Sequence, residues 1–220
     1  MKWEKNNLIM ESFPVGTLAC NCCIIYEKET REALIIDPGN DSDLILKFVA
    51  QKKLKVKSLL HTHAHFDHIG GSSFLSTELN CPVHLHTDDF FLHKALPLQA
   101  MYFGEKIPEP KPVDHIIRDE ETFGLNLSNL VNPQESKLIP FLKTLHTPGH
   151  TPGSCCFYSE YFDPNGPSSF LGANDNAGSC FLGIGIHFWI YLNLAGFSTN
   201  AWFSLLKNNV CSSKLTSVSW

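Results

Sequence analysis

The chain as a whole carries no excess of basic residues: 17 Lys and Arg stand against 22 Asp and Glu, a formal net charge of −5. A nucleic-acid partner is not expected, because the composition offers no cation surplus to neutralise phosphates. The first ten residues, MKWEKNNLIM, contain neither a continuous apolar stretch nor a small-residue cleavage site, and they are not Arg-rich. They read as neither a secretion signal nor a transit peptide, so a cytoplasmic location is the expectation. Acidic residues are missing altogether from 176–220, and Lys and Arg are missing from 176–206.

Cysteine is not scarce, at eight, but the spacing of a disulfide framework is missing. Cys22–Cys23 and Cys155–Cys156 are adjacent pairs inside apolar runs, and neighbours on a strand point to opposite faces, so such pairs do not bridge to themselves. The CxCC at 20–23 lacks the second Cys/His pair at a defined spacing that a zinc site of that kind requires. Reduced, buried thiols are expected.

At 220 residues, with 43% hydrophobic and 18% charged side chains, the chain suits one large α/β domain or a domain with a short extension. Strand-like runs at Cys22 to Tyr26 and Ala33 to Ile36 flank the charged turn EKETRE. Asn40 and Asp41 are candidates to cap a helix from Ser42 to Lys53, with Leu44, Ile45, Phe48 and Val49 on one face. A strand at Val56 to Leu60 leads into HTHAHFDHIGG, and a helix is predicted from Gly71 to Leu79. PVHLH at 82–86 reads as a strand and Thr87 opens a helix toward Leu98, followed by a proline- and charge-rich loop at 104–114. Leu138 to Leu145 and Ser154 to Tyr158 are strands on either side of HTPGHTPGS. The change of character near 176 divides the chain into a domain at 1–175 and an apolar tail at 176–220. The tail holds CFLGIGIHFWIYLNLAGF, close to the roughly 20 residues that span a bilayer. His187 and Asn193 inside it, and the lack of a basic flank, argue against a membrane span without closing that reading.

The chemistry lies in the histidines. His63 and His65 are two apart at the end of a strand, leave the same face, and can converge on one ion. Asp67 and His68 follow as the chain turns and address a neighbouring ion, while Gly70–Gly71 lets the backbone turn tightly behind them. His61 stands outside this spacing and reads as structural or as support for a ligand. His150, presented at a strand tip between two TPG turns, is the natural third partner of His63 and His65. Imidazole with carboxylate suits Zn2+, with iron or manganese as alternatives.

THAHFDH at 62–68, IDPG at 36–39, TPGHTPGS at 147–154 and ESFPVGTLACNC at 11–22 together resemble the metallo-β-lactamase superfamily, in its glyoxalase II (hydroxyacylglutathione hydrolase)-like branch. The resemblance covers about residues 8–160. It implies an α/β fold, an αββα sandwich, here incomplete at the C-terminus, with a site for one or two ions at the edge of the sheets. The implied ligands are His63, His65, Asp67, His68 and His150. The implied reaction is hydrolysis of a small-molecule thioester, typically of glutathione, by a metal-activated hydroxide, with Asp67 also acting on the nucleophile. The family's bridging aspartate, in a GDTLF-type segment, and its final histidine have no clear counterpart. Asp175 in FLGANDN is the nearest candidate for the former, and His187, inside an apolar run, is not expected to serve as the latter. Two other readings therefore stand beside the hydrolase: an impaired member holding one metal through His63, His65 and His150, and a mononuclear iron, persulfide dioxygenase-like enzyme.

Overall fold

A computed structural model of the protein describes residues 2–5, 7–128 and 138–159. Strands β1 (Lys2–Lys5), β2 (Leu8–Val15), β3 (Cys20–Glu27) and β4 (Glu32–Ile36) pair antiparallel in sequence order. Strands β5 (Lys55–Leu60), β6 (Val83–His86) and β7 (His115–Ile117) extend the same sheet in parallel, making it seven-stranded and mixed. A second, antiparallel sheet holds β8 (Thr122–Asn126), β9 (Leu138–His146) and β10 (Cys155–Tyr158), with β9 central.

Parallel strands need long crossovers, and each crossover here carries helix. Helix α1 (Ser42–Lys52) joins β4 to β5, while α2 (Phe66–Ile69) and α3 (Ser72–Leu79) join β5 to β6. A 3-10 turn at Thr87–Asp89, then α4 (Phe90–Lys94) and α5 (Leu96–Tyr102), lead toward β7.

Strand alternation builds two cores. On β3, Cys22, Ile24 and Tyr26 face the helices with Ile45, Val49 and Leu75. Cys23 and Ile25 face the second sheet with Phe123, Leu125 and Phe157. A strand apolar on both faces belongs in the middle of a layered fold. Each fully buried isoleucine of this kind contributes about 1.5–3 kcal/mol through burial. Adjacent cysteines thus end on opposite faces, and the six described cysteines are buried free thiols. Helices, mixed sheet and antiparallel sheet are three layers of the αββα sandwich expected above.

Three details depart from the expectation. The helix opened by Thr87 is broken at Ala95, where the backbone leaves helical geometry and Pro97 starts a new helix in its first turn; proline has no N–H to continue the preceding ladder. Leu44 is 39% exposed, so the buried stripe of α1 runs along Ile45 and Val49 instead. Asp41 occupies the N-cap position of α1 without a side-chain capping bond. No helix among the described residues is long and apolar enough to cross a membrane. The boundary at 175, the apolar run at 180–197, Asp175, His187 and the fourth layer of the sandwich lie outside the described residues.

Candidate metal centre

The site forms where β4 and β5 end beside the β9–β10 turn. Past Leu60 the chain bends at Thr62, then winds into α2 with His65, in extended backbone, at the N-cap position. His63 Nε2 lies 3.0 Å from His65 Nδ1, and His150 Nε2 lies 3.0 Å from the same atom. The three rings stand 4.7–4.8 Å apart, centroid to centroid, with planes crossing at 79–86°. Three mutually perpendicular imidazoles aimed at one point match an ion's coordination sphere. Metal–nitrogen bonds of about 2.0–2.1 Å at tetrahedral angles put neighbouring nitrogens roughly 3.3–3.4 Å apart, so the cluster needs only slight widening to take a metal.

Hydrogen bonds set which nitrogen faces inward. Asp37 is the hub: Thr62 N donates to Oδ1 at 2.8 Å, and Thr62 Oγ1 and His68 Nδ1 donate to Oδ2 at 2.6 and 2.9 Å. The Thr62 hydroxyl, having given its proton to Asp37, accepts from His63 Nδ1 at 2.9 Å. Hydrogen bonding in this direction places the protons of His63 and His68 on Nδ1 and leaves each Nε2 with a lone pair. Burial, then the neighbouring His68, push His63 down to about 2, so the ring is neutral. Burial and His150 likewise lower His65. For His68, burial opposes the charged ring but Asp37 outweighs it and raises the pKa. The same carboxylate favours any cation on that imidazole, whether proton or metal. Burial alone would raise Asp37; its contact with His68 prevails and lowers it.

A second buried carboxylate ties the two histidine-bearing loops together. Asp89, fully buried, accepts from Ala64 N at 3.0 Å, Thr151 Oγ1 at 2.7 Å and Gly153 N at 2.7 Å. Ala64 sits between His63 and His65, and Thr151 directly follows His150. From α5, Gln99 grips the same loop, donating to Ala64 O at 3.2 Å and accepting from Phe66 N at 3.2 Å. The glycines behind the cluster serve close packing rather than an unusual turn. Gly70 and Gly71 have φ of −56° and −85°, open to any residue. A Cβ on Gly71, however, would lie 2.9 Å from Gly39 O and 2.6 Å from Ser42 Oγ.

His63, His65 and His150 come together; Asp67 and His68 stand beside them as a pair, with Asp67 Oδ2 3.5 Å from His68 Nε2 and the His63 and His68 rings 4.0 Å apart. His61 is elsewhere: it is buried, its Nδ1 meets His84 O at 2.8 Å and its Nε2 meets Ser72 Oγ at 2.7 Å. Burial lowers its pKa to about 4. Sequence reasoning missed the roles of Asp37, Asp89 and Gln99. Asp37 sits in the IDPG segment and was legible as part of a motif, whereas nothing near Asp89 sets it apart from an ordinary turn residue.

Comparison with known proteins places this geometry. The probable metallo-hydrolase YqgX of Bacillus subtilis is 31% identical over 161 residues, 72% of this chain and 65% of that protein. Hydroxyacylglutathione hydrolase GloC of Haemophilus influenzae is 31% identical over 153 residues, 67% of this chain and 65% of that protein. The crystal structure of TTHA1623 in a di-iron-bound form superposes with a TM-score of 0.57 at 28% identity, covering 76% of this chain and 75% of that one. The chain spans about two thirds of the length of the curated relatives it matches. Residues 15–163 match the family model of the metallo-β-lactamase superfamily, and the chain belongs to that superfamily.

Proposed function

We propose that the protein is a metal-dependent hydrolase of small thioesters, similar to hydroxyacylglutathione hydrolase, with a glutathione thioester as substrate. The observation that carries this reading is the convergence of His63 Nε2, His65 Nδ1 and His150 Nε2 beside the Asp67–His68 pair. The thioester rests on the likeness to GloC, and room for two ions on the di-iron form of TTHA1623. His63, His65 and His150 would hold one ion; Asp67 and His68 would contribute to a second, with Asp175 as its bridging partner. Zinc suits these donors, and iron or manganese would also be accepted. When bound, the metal supplies a hydroxide nucleophile near neutral pH and polarises the thioester carbonyl.

The side chains do the rest. Asp37, through Thr62 and directly, holds His63 and His68 in the tautomer that faces inward. Asp67, partly exposed, would accept a hydrogen bond from the O–H of the nucleophile and orient it. His150 is exposed, so substrate approaches from the β9–β10 turn. Buried free thiols at all six described cysteines support a reducing, cytoplasmic setting.

The test is hydrolysis of S-lactoylglutathione by the purified chain, with metal content measured on the same sample. Turnover, with two ions that are lost on replacing His63, His65, His68 and His150, is the expected result. The divergence from the GDTLF pattern favours a second reading, an impaired member; one such ion and no turnover would establish it and overturn the first. One iron, with oxygen consumed in the presence of glutathione persulfide, would instead mark the dioxygenase-like chemistry.

A further inference from the structure

A second cluster of ligating side chains lies apart from the centre, at the ends of two strands from different sheets. His86 closes β6 of the seven-stranded sheet, Asp88 follows in the 3-10 turn, and His146 closes β9 of the three-stranded sheet. One ligand atom from each lies within 4.8 Å of the others. We propose that His86, Asp88 and His146 form a second metal site for a borderline divalent ion such as Zn2+, Ni2+ or Cu2+, which staples the two sheets at the rim of the sandwich.

Donor chemistry and local hydrogen bonding both support this. Two imidazoles and a carboxylate are a donor set that such ions favour. His146 Nε2 donates to Pro152 O at 3.0 Å, which places its proton on Nε2 and leaves Nδ1 with a lone pair. Its backbone N–H is held by Asp119 Oδ1 at 2.9 Å, so the strand end is anchored as well as the ring. The His86 and His146 rings stack at 4.0 Å with 16° between planes. Parallel rings cannot both direct an in-plane lone pair at one ion, so one ring must turn. His86 is the ring to do so: among the described residues its side chain holds only a long bond from Asp88 N, 3.3 Å to Nδ1, while Asp88 Oδ2 stands 3.8 Å from the same nitrogen. Turning about Cβ–Cγ exchanges that long bond for a metal bond and brings Nδ1 and the carboxylate onto one ion. Asp88 is half exposed, so the site opens to solvent and an ion can enter.

An ion here would join β6 to β9 and brace the turn that follows His146, which presents His150 four residues later. The site is independent of the thioesterase reading, because it uses none of the residues placed in the centre.

Equilibrium dialysis against Zn2+, with bound metal counted per chain, tests it. A His63→Ala/His65→Ala/Asp67→Ala/His68→Ala/His150→Ala chain, stripped of the centre's donors and with its fold confirmed by far-UV circular dichroism, should still bind one ion. Adding His86→Ala and His146→Gln should abolish that binding; glutamine keeps a donor toward Pro152 O while removing the imidazole. No ion on the stripped variant, or an ion that survives the added substitutions, would overturn the proposal. Should the stripped variant not fold, the otherwise unaltered chain carries the test. There, His86→Ala/His146→Gln should lower the stoichiometry by one ion, and an equal stoichiometry overturns the site.

Discussion

Asp37 and Asp89 do for this site what no histidine does alone. Asp37 collects three donors that belong to Thr62 and His68, and so decides which nitrogen of two imidazoles faces the centre. Replacing it by asparagine puts an amide N–H₂ against at least one of those donors, whichever way the amide is turned. Partners behind metal ligands typically govern metal affinity by a factor of about 10–100, and Asp37→Asn should weaken Zn2+ binding by that order. A competition titration against a chromophoric chelator measures it, and an affinity unchanged within twofold would show that the ligands need no such support. Asp89 acts one step further out, on backbone. Its three bonds hold Ala64, Thr151 and Gly153, so Asp89→Asn must leave at least one N–H or O–H facing another donor. Weaker metal binding with an unaltered far-UV spectrum is the expected pair of results; a lost fold with intact affinity in the folded fraction would make Asp89 purely structural.

At the scale of elements, the β9–β10 turn is the most exacting piece of backbone. A Cβ built on Gly153 would lie 2.7 Å from Asp89 Cγ and 2.8 Å from Asp89 N, contacts no side chain can make without displacement. Gly153→Ala should therefore push Asp89 off its partners, at a cost of about 1–3 kcal/mol by analogy with overpacked cores. Urea denaturation should show this as a lower midpoint at unchanged slope; a midpoint equal to that of the unsubstituted chain would mean the turn yields freely. Elements differed in how plainly their residues announced them. Long apolar runs such as β3 and β4 were legible because both faces are buried. β7, three residues long, and β8, with a glycine at its centre, carry too little pattern to separate them from loop. The break at Ala95 was marked by Pro97, yet the apolar residues on both sides continue a helical rhythm across it. The gathering of His63, His65 and His150 was readable because motif and spacing lie along the chain. Asp89 was not: its partners stand 25 to 64 positions away and meet it only once β6 has paired beside β5.

Across the whole molecule, the proposed centre is a junction between layers. His63 and His65 follow β5 of the large sheet, while His150 is carried on the turn between β9 and β10 of the small one. An ion held by all three binds only when the two sheets are stacked as they are in the folded chain, so its binding free energy is also stability of that stacking. With free metal at a thousand times its dissociation constant, the linkage is worth about 4 kcal/mol. For a chain of this size each kilocalorie shifts the melting temperature by about 2–4 °C, so stripping the metal with a chelator should lower it by roughly 8–16 °C. Calorimetry before and after dialysis against the chelator, with metal removal confirmed by elemental analysis, makes the comparison. Readdition of Zn2+ should restore the original value. A melting temperature indifferent to the metal would mean that the folded chain holds the ion no more tightly than the unfolded one, and that the centre does not couple the two sheets.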